Sequence, residues 1–200
     1  MAVRKDLKIQ LLFPQERNYT ISLRDALKDC PSSAGQDYPK HKKEILNLIP
    51  EGGYWRDLPL PLQKQYMGAS FYMGGGKTGM ARRLSWDEPS LTLTCSPAQK
   101  QTERCHPSET RPLNVREYAR IQTFPDEWHF AGSVSAQYKQ IGNAVPVNLG
   151  YHIGRCAIAM LAGKKMEFME EGRSVVPTQQ QSFPFVDSLF GDNPTLDKAW

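Results

Sequence analysis

Between Gly52 and Pro107, glycine, proline, aromatic residues and Arg/Lys are interleaved without a long helical period, and this stretch limits what the chain can fold into. Tyr54, Trp55, Tyr66, Phe71, Tyr72 and Trp86 punctuate it, so it has rings for a core but too many breakers for long regular elements. It reads as an irregular, loop-rich subdomain with short strands, Ser90 to Thr94 being one candidate. An ordinary α+β lobe whose aromatics form its core fits the same pattern.

The flanks are more regular. Leu7 to Pro14 is short, apolar and ended by proline, the pattern of a strand. Such a strand needs sheet partners, and few good candidates follow nearby, so the chain reads as starting partway through a larger domain. Ser22 lies three residues before Asp25 and predicts a capped short helix. Cys30 to Gly35 is a loop. Lys40 to Ile49 reads as a second short helix, ended by Pro50-Glu51-Gly52-Gly53. Asn114 and Glu117 form a capping pair for a helix that Thr123-Phe124-Pro125-Asp126 stops. Pro146 suits the first turn of another helix, along which Leu149, Ile153, Cys156 and Met160 recur as a core-facing stripe. Gly150 and Gly154 weaken that helix by about 1 kcal/mol each unless close packing compensates. After Lys165 the sequence turns polar and irregular, as in a loosely held tail.

Composition constrains function only loosely. Forty per cent hydrophobic and 10% aromatic residues support a core, while 25 basic against 21 acidic residues give a net charge of +4. That excess permits nucleic-acid binding without demonstrating it. Cys30, Cys95, Cys105 and Cys156 form no CxxC pair, and Cys105-His106 lacks a second pair at zinc spacing, so the expectation is reduced thiols and no metal. With no apolar run near the ~20 residues of a membrane span and no signal peptide, a cytoplasmic location is expected. Gly74-Gly75-Gly76-Lys77-Thr78 invites a phosphate-loop reading, but the position needing the first glycine is Phe71. A glycine-rich turn with Lys77, Arg82 and Arg83 is better read as backbone able to approach a DNA groove, the plain alternative being a solvated basic loop. His41, His106, His129 and His152 suggest no catalytic pair, and nothing beside Cys30 supplies a base, so the chain offers no autonomous active site.

The strongest signal is Arg111-Pro-Leu-Asn-Val-Arg-Glu-Tyr-Ala-Arg-Ile-Gln-Thr-Phe-Pro-Asp126, followed by Gln137-Tyr-Lys-Gln-Ile-Gly-Asn-Ala-Val-Pro146. Together they closely resemble the last two motifs of bacterial cytosine-5 DNA methyltransferases, in order and spacing. Cys105-His106-Pro107, Pro50 to Pro59 and Gly79 to Ser90 resemble the family's preceding target-recognition region, and Val3 to Pro14 the strand after its Gln-Arg-Arg motif. The resemblance covers about residues 1 to 162.

It implies a catalytic domain that binds S-adenosylmethionine and a smaller domain that holds double-stranded DNA. The target cytosine is flipped out, because its ring carbons are out of reach inside a duplex. A cysteine in a Pro-Cys motif attacks the ring and a glutamate in a Glu-Asn-Val motif assists; neither motif occurs in these 200 residues. By resemblance, Thr92 and Leu93 hold the DNA backbone near the flipped base, and Gly74, Gly75, Gly76, Lys77, Arg82 and Arg83 lie in or near the recognition loops. Asn143, Ala144 and Val145 close one wall of the cofactor pocket. Arg111, Arg116 and Glu117 organise the recognition region. No catalytic residue is assigned to this chain.

The expected fold is therefore α/β overall. An irregular target-recognition region over residues 50–110 joins terminal elements, residues 1–49 and 111–165, that complete a Rossmann-like methyltransferase domain, with a flexible tail over residues 166–200. The leading functional reading is the recognition portion of a split cytosine-5 DNA methyltransferase, inactive alone and dependent on a catalytic partner chain. An inactive truncated copy and a stand-alone DNA-binding module are the alternatives. The apolar stripe after Pro146 further predicts that the isolated chain is poorly soluble or only partly folded.

Overall fold

The computed structural model describes residue 6, residue 9, residues 11–16 and 18–164, and the backbone of residues 169–171. The expected strand over Leu7 to Pro14 and the expected loose tail after Lys165 fall largely outside these residues. The chain divides into two units, residues 1–15 with 156–200, and residues 16–155.

In the first unit, β1 (Leu12–Pro14) pairs antiparallel with β2 (Met169–Glu171), Leu12 opposite Glu171 and Pro14 opposite Met169. The partner that a strand so near the N-terminus requires thus comes from the segment read as tail. Leu12 is buried with Cys156, Ala159 and Met160 of α6 (Val147–Leu161), and its N–H points at the Met160 Sδ at 3.1 Å. Among the described residues this two-stranded pairing is the only sheet, so a Rossmann-like parallel sheet is not part of what they form.

The second unit has two hydrophobic cores. One is built on α1 (Leu23–Ala26), α4 (Val115–Ile121) and α5 (Val134–Asn143), with Leu84, Leu93, Leu113 and Phe124 filling in. The other gathers Tyr38, just before α2 (Lys40–Leu46), with Leu46, Ile49, Trp55, Leu58, Tyr66 and Met67 from α2, α3 (Leu60–Met67) and the segment between them. Both expected capping boxes form. The Ser22 hydroxyl accepts from the Asp25 N–H, while Asn114 Oδ1 accepts from the Glu117 N–H at 2.9 Å and Glu117 Oε2 from the Asn114 N–H at 2.7 Å.

Three expectations change. Ser90 to Thr94 is not a strand: Tyr118 and Arg104 side chains, rather than a neighbouring strand, bond its backbone. Helices α3 and α5 were not expected. Helix α3 starts behind Pro59 and ends at Gly68, whose φ of +56° stops it; α5 is capped by the Ser133 hydroxyl on the Ala136 N–H. The stripe on α6 is buried only at its end, for Leu149 is 48% exposed while Cys156 and Met160 are covered.

Close backbone approach explains one glycine. A Cβ on Gly142 would lie 2.1 Å from the Thr94 carbonyl oxygen and 2.8 Å from the Cys95 nitrogen, atoms that cannot swing aside. Gly150, also helical, meets nothing within 4 Å. The two sites therefore respond to alanine with opposite signs. Gly142→Ala should destabilise by about 1–3 kcal/mol or more through overpacking, and Gly150→Ala should stabilise by up to about 1 kcal/mol through helix propensity. Denaturant midpoints of the two variants against wild type check this; equal shifts would refute the close approach.

Candidate functional site

The glycine-rich turn follows a 3-10 turn, Gly68–Tyr72, that continues directly from α3. Gly74, Gly75 and Gly76 are exposed, and Cβ atoms built on the first two would meet nothing within 4 Å. Lys77 does not simply project. Its backbone is left-handed at φ +51°, and its ammonium folds back to donate to the Ser70 and Met73 carbonyls. Arg82 is largely covered, its guanidinium 5.9 Å from the Tyr54 ring centroid and 3.8 Å from Glu88 Oε2.

Arg83 sits differently. It is only 4% exposed, and its guanidinium meets six acceptors. Nε donates to the Ile49 carbonyl at 2.8 Å, Nη2 to the Leu46 carbonyl at 2.8 Å and to Thr110 Oγ1 at 3.0 Å. Nη1 reaches the carbonyls of His106, Pro107 and Glu109. In this structure the side chain ties the end of α2 to the loop before α4, and it faces inward rather than toward a ligand.

Residues 92–95 meet α4 and α5. Thr92 is exposed, Leu93 is buried, and the Thr92 carbonyl accepts from Arg104 Nε at 3.1 Å. The Tyr118 hydroxyl donates to the Thr94 carbonyl at 3.0 Å. Next, exposed Cys95 places its Sγ 3.0 Å from Asn143 Oδ1 at the end of α5. Thr92-Leu93 and Asn143, about fifty positions apart in sequence, thus flank one junction. Beyond Asn143, Ala144 is half-buried and Val145 is 60% exposed. Gln122 holds this turn, its amide donating to the Ile141 and Ala144 carbonyls at 3.1 Å each.

Arg111 grips Glu117 through two bonds of 2.8 Å and Glu109 through bonds of 3.0 and 3.1 Å. Those bonds hold the Glu109 carboxyl below its ordinary range. His106 beneath them is buried and its imidazole titrates below the usual value, first because of burial and then because of Arg111. Its Nδ1 accepts the Glu109 N–H at 3.1 Å, as a neutral ring can. Arg116 donates to the carbonyls of Pro125 and Trp128 at 3.0 Å. An open cavity of about 440 Å³ beside this cluster is lined by Ser33, Gly35, Lys43, Glu109, Arg111 and Asn114.

One organising residue escaped sequence reasoning. Glu103 is fully buried, bonded by the Tyr66 hydroxyl at 2.6 Å and the Ala81 N–H at 2.8 Å, and paired with Lys42. Burial pushes its carboxyl up from the ordinary range, against the pull of Lys42 and these bonds. The only signal in the sequence is an acid among polar and basic neighbours, which is too weak to single it out.

Burial raises the Cys30 and Cys105 thiols to about 11, so neither is a ready thiolate. Among the described residues no group of three or more His, Cys, Asp or Glu is placed to hold a metal, and no helix is long and apolar enough to cross a membrane. What the site offers is an exposed glycine-rich loop, and a polar–apolar edge at Asn143 to Val145 next to Thr92-Leu93.

Residues 8–158 match the family model described as C-5 cytosine-specific DNA methylase. The chain is 65% identical over 170 residues to the Type II methyltransferase M.Eco47II of Escherichia coli, covering 80% of this chain and 41% of that protein. Over 179 residues it is 60% identical to M.PspPI of a Psychrobacter strain, covering 85% and 43%. Over 165 residues it is 58% identical to M.Sau96I of Staphylococcus aureus, covering 80% and 38%. The chain spans about two fifths of the length of these relatives.

The burial of Arg83 carries its own test. Arg83→Lys keeps the charge but lacks the planar fork, stranding several carbonyls, and should cost roughly 2–4 kcal/mol. Chemical denaturation measures it, and a loss below about 0.5 kcal/mol, usual for a surface substitution, would contradict the inward placement.

Proposed function

Because this chain belongs to the C-5 cytosine-specific DNA methylase family, we propose that it is the DNA-recognition portion of a DNA (cytosine-5-)-methyltransferase serving a Type II restriction–modification system. In this reading it works with a partner chain that carries the cysteine and glutamate missing from its sequence, and together they methylate carbon 5 of a cytosine flipped out of double-stranded DNA. The assembly is an α/β methyltransferase domain with an irregular recognition domain.

The observation that most supports this reading is the junction of residues 92–95 with the end of α5. A strand of DNA held at Thr92-Leu93 would pass close to the Asn143 edge, where a cofactor must lie if methyl transfer is to reach the flipped base. Residues Asn143 to Val145 fit one wall of a pocket for S-adenosylmethionine. Asn143 is exposed and its Oδ1 accepts from Cys95, which leaves amide N–H groups to donate, while Val145 offers an apolar surface. Bound S-adenosylmethionine supplies the methyl group. On this chain Asn143 binds and orients, Thr92 and Leu93 steady the backbone near the target, and Gly74, Gly75, Gly76, Lys77 and Arg82 approach the duplex. Arg111, Arg116 and Glu117 hold the recognition region in register for these contacts. Arg83 contributes from inside the fold.

Transfer of labelled methyl from S-adenosylmethionine to DNA tests the proposal, with this chain alone, a chain carrying the family's Pro-Cys and Glu-Asn-Val motifs alone, and the two co-expressed. Activity in the mixture only is the expected result. Inactivity in every tube, with the catalytic chain soluble and cofactor-bound, would instead indicate a decayed fragment or a binding-only module. In an active mixture, Asn143→Ala should weaken cofactor affinity roughly 3- to 10-fold, the loss of about one hydrogen bond. Unchanged affinity in equilibrium binding would remove Asn143 from the cofactor wall.

A further inference from the structure

Tyr72 is the most exposed large apolar side chain among the described residues, at 78%, and Met73 beside it is 66% exposed. An aromatic ring left in water at the end of a turn is ordinarily a mobile one, yet this ring is anchored. It meets Phe71 edge-on at 5.2 Å, and Phe71 meets Trp55 edge-on at 6.0 Å. Trp55 belongs to the buried core formed with Leu58, Tyr66 and Met67. The Met73 N–H bonds the Ser70 carbonyl at 3.3 Å, and the Lys77 ammonium closes the Ser70 and Met73 carbonyls. Tyr72 and Met73 therefore stand on a braced turn and point away from it.

The surroundings indicate what they meet. The Arg56 guanidinium lies 5.3 Å from the Trp55 ring centroid and the Lys64 ammonium 5.9 Å from that of Phe71, so two cations ride on the rings that brace the finger, and Lys77 closes its base. None of the three enters an ion pair with a carboxylate among the described residues. Immediately after the finger, Gly74, Gly75 and Gly76 carry no side chains that would keep a surface away. A narrow apolar tip with unpaired positive charge around it complements a nucleic-acid groove, which has phosphates on both lips and base edges on its floor.

We propose that Tyr72 and Met73 form a finger that enters a groove of duplex DNA and packs on base edges, with Arg56 and Lys64 set against the flanking phosphates and Lys77 bracing the turn from within. The inference rests on the DNA-recognition reading above and adds specificity-determining residues to it. Apolar contact with bases contributes little to salt dependence, whereas cations that neutralise phosphates set it. The two halves of the finger are therefore separable by experiment.

The test uses the chain co-expressed with the catalytic chain of the preceding experiment, and the duplex that the pair selects from a randomised pool, with a scrambled duplex as reference. Binding is followed by fluorescence anisotropy at several salt concentrations, and circular dichroism verifies each variant's fold. Tyr72→Ala and Met73→Ala should each weaken the selected duplex about 5- to 50-fold and the scrambled one less than about twofold, with the salt slope unchanged. Tyr72→Phe, which keeps the ring, should stay within about twofold. Lys64→Gln should weaken both duplexes alike and lower the salt slope by about one. If the pair binds and selects DNA while both alanine variants remain at wild-type affinity, the finger is wrong and the recognition reading survives. If the variants instead abolish a concentration-dependent self-association, the patch is a protein interface and the finger is likewise overturned. A folded pair that binds no duplex even at low salt overturns the recognition reading and the finger with it.

Discussion

Backbone carbonyls that have no ladder to join are the constraint on which this structure depends. Among the described residues one short strand pairing and six helices use only part of the backbone's acceptors, and the long irregular region must satisfy the rest by other means. It does so with side chains. Arg83 serves the segments around Ile49 and His106, Arg104 serves Thr92 and Glu103, and Arg116 serves Pro125 and Trp128. Tyr118 and Tyr138 each give a hydroxyl to a carbonyl, those of Thr94 and Leu113. A guanidinium suits this work because it offers several donors in a fixed plane and never loses its charge.

That use of arginine changes the meaning of the net charge. The excess of +4 counts every cation equally, yet several guanidinium groups are turned inward onto carbonyls, and Arg111 and Arg120 are held by carboxylates. The charge available to a partner is a smaller set, and exposed Arg56 and Lys64 bring part of it close to the glycine-rich turn. Glu103 shows the complementary case. A carboxylate buried without partners would be costly, and here Lys42, the Tyr66 hydroxyl and the Ala81 N–H surround it, joining α2, α3 and the segment before Arg83 through one side chain.

Local signals were legible in the sequence and long-range ones were not. Ser22 with Asp25 and Asn114 with Glu117 specify their helix starts within four residues, and both formed. The segment from Arg111 to Pro146 carried the family, which the comparison over residues 8–158 supports. Helix α5 was hidden because its polar run, Ser135 to Gln140, shows little apolar period, and its register depends on Tyr138 and Ile141 meeting α4. The partner of β1 was hidden because strand pairing across more than 150 residues leaves no local trace. Arg83 and Lys77 read alike in a basic, glycine-rich stretch, and only tertiary contacts separate one that faces inward from one at the edge of an exposed loop.

The second unit keeps its two cores apart, and the loop from Tyr72 to Gly76 is anchored to only one of them, through Phe71 and Trp55. Its tip touches little else, and loop-closure entropy grows slowly with length, so residues can be exchanged, added or removed there at small cost to the remainder of the fold. The same architecture therefore acts as an evolutionary chassis. The tip of the loop can be rewritten while the arginine-held interior and the capped helices stay fixed, so a change of surface there need not pass through an unstable intermediate.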